Sequence, residues 1–94
     1  MAVTPPEHEN ELSEMALEEL DAACGLHFVE MKQITPWGDT YDAMAPSGRE
    51  VEVERRYLWQ NGVVGGAIVI EVEVRDPVLQ TGAEARAVIG PDAR

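Results

Sequence analysis

Two segments in the second half of the chain alternate between apolar and charged residues with a period of two. Glu50–Trp59 places its valines and aromatic residues on one face and Glu52, Glu54 and Arg56 on the other. Residues 67–75 repeat the pattern after a glycine-rich connection. Because successive side chains of a strand point to opposite faces, each segment is predicted to be a half-buried strand. Their closeness in sequence predicts an antiparallel hairpin.

Charge selects the register of this hairpin. The favoured register joins opposite charges at two positions and apolar residues at three, in the pairs Glu52–Arg75, Arg56–Glu71, Val53–Val74, Tyr57–Ile70 and Trp59–Ile68. Only Glu54 and Glu73 then meet as like charges. The register two residues tighter has two like-charge pairs, each costing some tenths of a kcal/mol. The register two residues looser also has two opposite-charge pairs, but its apolar residues match less well and it ranks second.

Residues 11–24 have the spacing of an amphipathic helix. Leu12, Ala16 and Leu20 recur every four residues, Asn10 is a competent N-cap and Gly25 a competent terminator. The polar side of this helix carries a row of acids at intervals of three or four residues, made of Glu11, Glu14, Glu18 and Asp21. The helix is therefore predicted to bury one side and to present an acidic side to solvent.

This acidic row lacks compensating charge. The first 31 residues contain eight acidic side chains and no lysine or arginine. Like charges at helical spacing cost an isolated helix roughly 0.2 to 0.5 kcal/mol per pair, and solubility alone would be satisfied by mixed charges. The simplest interpretation is a solvated helix face. The functional alternative is a surface for a cationic partner.

The other segments carry weaker patterns. Phe28–Ile34 is predicted to be a first strand and residues 40–44 a short second one. Residues 1–9 are predicted to be a flexible lead because Pro5 and Pro6 cannot donate backbone hydrogen bonds.

A single domain is predicted to span residues 10–77. Residues 78–94 form a tail that is either mobile or carries a short helix near residues 83–88. These predictions give an α+β fold in which one N-terminal helix packs on a mainly antiparallel sheet of three to four strands.

A second candidate binding surface lies in residues 35–41, which are predicted to form a loop. Trp37, Asp39 and Tyr41 lie in it, and partly exposed Trp and Tyr side chains are typical interface anchors. The alternative is that Trp37 folds over the small core. Arg55 breaks the apolar alternation of its strand, so it is predicted either to extend to a sheet edge or to pair with a buried acid.

No spacing typical of a catalytic or metal site occurs. Cys24 follows Asp21 at a helix end, where thiolate formation is disfavoured. His8 and His27 have no neighbouring ligand pattern, and Asp39 is more typical of a turn than of a calcium loop. No enzymatic activity, metal or cofactor is therefore expected.

Charge and apolar content restrict the partners. The net charge of -11 repels nucleic acid and anionic lipid, so neither is expected to bind directly. The longest apolar run, residues 63–70, is far shorter than the roughly 20 residues that span a bilayer. One cysteine allows no internal disulfide, which favours a reducing compartment, and a cytoplasmic location is expected.

In size, acidity and lack of a catalytic signature, the chain is similar to phage-encoded inhibitors of bacterial defence such as anti-CRISPR proteins, several of which are acidic α+β domains. A ridge of carboxylates approximates the phosphates of DNA, so the expected partner is a basic, nucleic-acid-handling protein. DNA mimicry would be the mechanism of inhibition. The alternative is a structural or assembly protein that self-associates through a sheet edge or the Trp37 loop, and both monomer and homodimer are compatible with the sequence.

Overall fold

A computed structural model describes residues 6–91 of the chain, with side chains from residue 10 onwards. Its elements are helices α1 (Pro6–Ala23) and α2 (Phe28–Ile34), strands β1 (Trp37–Met44) and β2 (Glu50–Trp59), a 3-10 turn (Gln60–Gly62), and strands β3 (Ile68–Asp76) and β4 (Thr81–Ile89). The strands form an antiparallel sheet in the order β1-β2-β3-β4, and α1 packs across β3 and β4. The predicted α+β class is confirmed, with four strands and a second, short helix.

The β2–β3 hairpin adopts the register favoured by charge. Glu52 lies opposite Arg75, and Arg56 lies opposite Glu71. The connection between the strands contains Asn61 and Gly62 at φ values of 54° and 71°. Glycine and asparagine tolerate this left-handed conformation better than other residues, which lets the chain reverse here.

The core lies between α1 and one face of the sheet. Leu12, Ala16 and Leu20 of α1 are each 9% exposed or less. They meet a layer of buried strand residues formed by Val51, Val53, Tyr57, Ile68, Ile70, Val72 and Val74. The opposite face of the sheet carries most of the charged residues of β2 and β3, because the side chains of a strand alternate between faces. The helices therefore cover one face of the sheet and leave the other to solvent.

Phe28–Ile34 is a helix, so the strand predicted there is wrong. Met31 is fully buried, whereas Val29 is 58% exposed. One buried residue is enough to hold this short helix against the core. The helix ends at Thr35, whose backbone N–H and hydroxyl both donate to the Met31 carbonyl oxygen.

Residues 81–89 form β4, in place of the short helix or mobile tail predicted. The strand pairs with β3 from Thr81 to Ile89, and Ala85 is buried. The Asp76 carboxylate accepts hydrogen bonds from the N–H groups of Val78 and Leu79 at 2.9 and 3.0 Å, which shapes the turn into β4. The sheet thus extends beyond residue 77, and residues 92–94 lie outside the described part of the chain.

Helix α1 begins at Pro6, about one turn before the predicted start, and ends within a residue of the prediction. Proline suits the first turn of a helix, where backbone N–H groups have no intrahelical acceptor. Of the lead predicted to be flexible, residues 6–9 are helical and residues 1–5 lie outside the described residues.

Candidate protein-binding surface

Within residues 10–23, the outward side of α1 carries three exposed acids, Glu14, Glu18 and Asp21, which we call the acidic face. Residues at these spacings have Cβ atoms about 5 to 6 Å apart on a helix. No lysine or arginine side chain in residues 10–91 forms an ion pair with any of the three. The acidic face therefore concentrates negative charge that the rest of the described chain does not offset.

Glu11, predicted to belong to the same surface, makes a tertiary contact. Its Oε1 accepts the backbone N–H of Ser47 at 2.5 Å, and its Oε2 accepts the Ser47 hydroxyl at 2.8 Å. Ser47 lies in the turn between β1 and β2, so Glu11 connects α1 to that turn. This half-buried glutamate is a structural contact rather than part of the exposed row.

Glu19, which the sequence analysis did not select, contacts β1. It is half-buried and hydrogen-bonded to the hydroxyl of Tyr41. Burial, this hydrogen bond and the Glu19 charge together raise the pKa of Tyr41 to about 12. Glu19 follows Glu11 by eight residues and so lies on the same flank of the helix, which was the available sequence signal.

Trp37 begins edge strand β1 and does not lie in the loop predicted for residues 35–41. Its ring packs against Tyr57 with the ring centroids 5.8 Å apart, and 40% of the residue is exposed. Trp37 therefore covers a core aromatic and still presents apolar surface to solvent. The packing agrees with the interpretation that Trp37 folds over the core, and its role as an interface anchor stays a prediction.

Arg55 forms an ion pair with Asp39, the cross-strand neighbour on β1. Its Nε and Nη2 donate to the two carboxylate oxygens at 3.0 and 2.8 Å. The guanidinium carbon lies 5.6 Å from the Trp37 ring centre and 5.1 Å from that of Tyr41, within cation-π range. Because the two charged side chains are 27% and 32% exposed, the pair lies at the surface. Asp39, predicted to bind a partner, is thus already engaged by an arginine.

The solvent face of the sheet has its own ion-pair network. Arg75 donates to Glu52 at 2.5 Å, to Glu54 at 2.9 Å and also to Glu73. Arg56 contacts Glu54 at 2.9 Å and Glu71 at 3.2 Å. The hydrogen bond from Arg75 is the main cause that lowers the pKa of Glu54. These four glutamates of β2 and β3 are therefore offset by arginines, in contrast to the carboxylates of the acidic face.

The described residues contain no arrangement typical of a metal centre. Among them, no group of three or more His, Cys, Asp and Glu side chains is placed to hold an ion. Burial, followed by the charge of Asp21, raises the pKa of Cys24, which keeps the thiol protonated. His27 is exposed at the start of α2 and makes no side-chain capping bond.

Helices in residues 6–91 are too short or too polar to cross a bilayer. No protein-family model, curated protein or solved structure matches the chain. What points to a function is therefore the chemistry of the molecular surface.

Proposed function

We propose that this protein is a small non-enzymatic inhibitor that binds, through the acidic face of α1, to a basic nucleic-acid-binding surface on another protein. The supporting observation is a difference in charge pairing. Glu14, Glu18 and Asp21 are exposed without an ion pair from the described side chains. In contrast, Arg56 and Arg75 engage four glutamates of β2 and β3.

Electrostatics makes a basic groove the matching partner. Three carboxylates along one helix side repel one another, and cationic side chains on a partner would relieve that repulsion on contact. Double-stranded DNA also presents a line of negative charge, denser than that of the acidic face, at about one charge per 1.7 Å of axis. The acidic face would therefore compete with DNA or RNA for the same lysines and arginines.

Occupying a nucleic-acid site in this way is the mechanism of a DNA mimic. An anti-CRISPR-like, phage-encoded role fits this mechanism, because a defence nuclease must expose a basic groove to engage its target. A cytoplasmic location belongs to the same proposal, since that is where such a target acts.

Charge reversal of the acidic face tests the proposal. The immobilised protein should capture a basic protein from a lysate of its host, and duplex DNA or added salt should release that protein. The triple variant Glu14→Lys, Glu18→Lys and Asp21→Lys should retain at least about tenfold less of it, because each reversed rim charge weakens association.

A control with the same change in net charge separates this surface from charge in general. Glu30, Asp42 and Glu50 are exposed and lie outside α1, so their triple replacement by lysine should leave capture largely intact. Equal capture by both variants, equal loss in both, or a captured protein that DNA cannot displace would each contradict the proposal.

A further inference from the structure

Strand β4 is an open edge of the sheet. It pairs with β3 on one side, and no strand within residues 6–91 pairs with its other side. An open edge presents backbone N–H and C=O groups that can pair with a strand of another chain. β4 contains no proline, which would block such pairing.

Of the two charges of β4, Glu84 is poorly matched within one chain, whereas Arg86 lies opposite Glu71 of β3. Glu84 and Arg86 are both exposed on the solvent face of the sheet, and neither forms an ion pair with a described side chain. Glu84 lies opposite Glu73 of β3, a like-charge cross-strand pair that is unfavourable. Glu84 thus has an acid on its β3 side and open space on its edge side.

We propose that two copies of this chain associate through β4, antiparallel and about a two-fold axis at Ala85, to form one continuous sheet. With Ala85 on the axis, Glu84 of each copy lies opposite Arg86 of the partner subunit. A two-fold axis makes the contact reciprocal, so each dimer gains two such opposite-charge pairs. The inference does not rest on the proposed function, because it uses a different surface.

The charges also fix the register. Moving the axis by one residue, to Glu84 or to Arg86, places two identical charges directly opposite each other. A register that places Glu84 opposite a residue of the other sheet face is excluded as well. It would turn the alanines of β4 in one copy away from the core side. The axis at Ala85 is therefore the register that satisfies both charges.

The other sheet edge, β1, does not offer this match. Its sequence contains Asp39 and Asp42 and no lysine or arginine. Two copies that paired through β1 would bring carboxylates together without a base from the strand itself. Charge complementarity therefore favours β4 as the self-associating edge.

The helix above β4 is compatible with a second copy. Glu11 and Glu19 contact the β1–β2 turn and β1, so the opposite flank of α1, with Ser13 and Leu17, lies towards the β4 side. Ser13 and Leu17 are both uncharged, and Leu17 is 61% exposed. The dimer would bring Ser13 and Leu17 of both copies near the axis and leave the acidic faces outward.

Charge reversal at β4 tests this interface by light scattering and sedimentation on the full chain. The wild type should have twice the 10.3 kDa mass of the monomer. Glu84→Arg and Arg86→Glu should each be monomeric, because each variant places only like charges opposite one another. An equimolar mixture of the two variants should dimerise, since all pairs are then opposite. The double variant E84R/R86E should also be a dimer.

Two controls isolate the edge. Asp42→Arg reverses a charge on β1 and should leave the dimer intact. The triple variant of the acidic face, in which Glu14, Glu18 and Asp21 are replaced by lysine, should also remain a dimer. Loss of partner binding in that variant is therefore separable from loss of dimerisation. Far-ultraviolet circular dichroism verifies that each variant is folded. A wild type that stays monomeric up to about 1 mM, a dimeric Glu84→Arg, or a mixture of variants that fails to pair would overturn the inference.

Discussion

At the level of single residues, the acids of α1 from Glu11 onwards divide into two groups with different surroundings. Glu11 and Glu19 lie on the flank that faces β1 and the β1–β2 turn, where they bind Ser47 and Tyr41. The three acids of the acidic face lie on the outward side and are exposed. Because an α-helix turns once every 3.6 residues, small differences in spacing decide which glutamate is structural and which is available to a partner.

Tyr41 should make the free energy of unfolding depend on pH in the alkaline range. Its pKa is raised from 10.0 to about 12 because burial and Glu19 disfavour the phenolate. The native state keeps the phenolic proton at pH values where the unfolded chain loses it. The contribution of Tyr41 to the free energy of unfolding is thus complete below about pH 10 and is lost as pH rises towards 12.

We therefore expect the urea midpoint of the wild type to fall between about pH 9 and pH 12, and that of Tyr41→Phe to fall less steeply. Burial also raises the pKa of Tyr57, so part of the decline in the urea midpoint should remain in the variant. Urea titrations of both proteins across this pH range measure the difference. Parallel declines in the two proteins would show that Tyr41 does not contribute.

The ion-pair partner of Arg55 could not be identified from the pattern of residues alone. The position of this arginine against the apolar alternation indicated that it needed an acidic partner or an exit to solvent. The partner could not be identified because Asp39 was predicted to lie in a loop, whereas it is the cross-strand neighbour of Arg55. The contact depends on the β1–β2 register, which was not predicted because residues 35–41 were expected to form a loop.

Among the secondary-structure elements, β4 depends on the turn that precedes it. Asp76 is 1% exposed, binds the N–H groups of Val78 and Leu79, and lies 4.0 Å from Arg49. Asp76→Ala should lower the free energy of unfolding by about 2 kcal/mol, because two backbone donors lose a charged acceptor. Asp76→Asn keeps one acceptor oxygen and should lose about half as much.

Urea unfolding measures these differences, and Asp42→Ala is the matched control. Asp42 is exposed on β1, so its removal should change the free energy of unfolding by less than about 0.5 kcal/mol. If Asp76→Ala lowers the free energy of unfolding no more than this control does, the turn does not depend on Asp76.

Elements with alternating opposite charges could be predicted from the sequence, and elements with weak patterns could not. The β2–β3 register followed from the arginines that face glutamates. In Phe28–Ile34, seven residues with strand-forming Phe, Val and Ile leave helix and strand equally compatible, and the burial of Met31 decides between them. In β4, alanines that favour helices in isolation are held extended by pairing with β3.

For the whole molecule, the sequence established an excess of acids but not their distribution in space. The acidic N-terminal segment was evident, and its outward side is exposed as expected. The topology was needed to see that Arg56 and Arg75 lie on the opposite side of the sheet from α1. Arg55, on the same side as α1, is paired with Asp39. Arg56 and Arg75 meet four glutamates, Glu52, Glu54, Glu71 and Glu73. This separation keeps the acidic face without counter-charge from the strands.

The two proposed interfaces should respond oppositely to salt. Binding of a basic partner to the acidic face is an attraction between opposite net charges, so it should weaken by more than tenfold when salt rises from about 0.1 M to about 1 M and the Debye length falls from about 10 to about 3 Å. Dimerisation joins two chains that each carry a net charge of -11. Salt screens that long-range repulsion while it weakens only two local pairs, so the dimer dissociation constant should stay unchanged or fall. Sedimentation measures the dissociation constant of the dimer, and binding to the immobilised protein measures that of the partner. A dimer that weakens with salt in parallel with partner binding would contradict this assignment of charges.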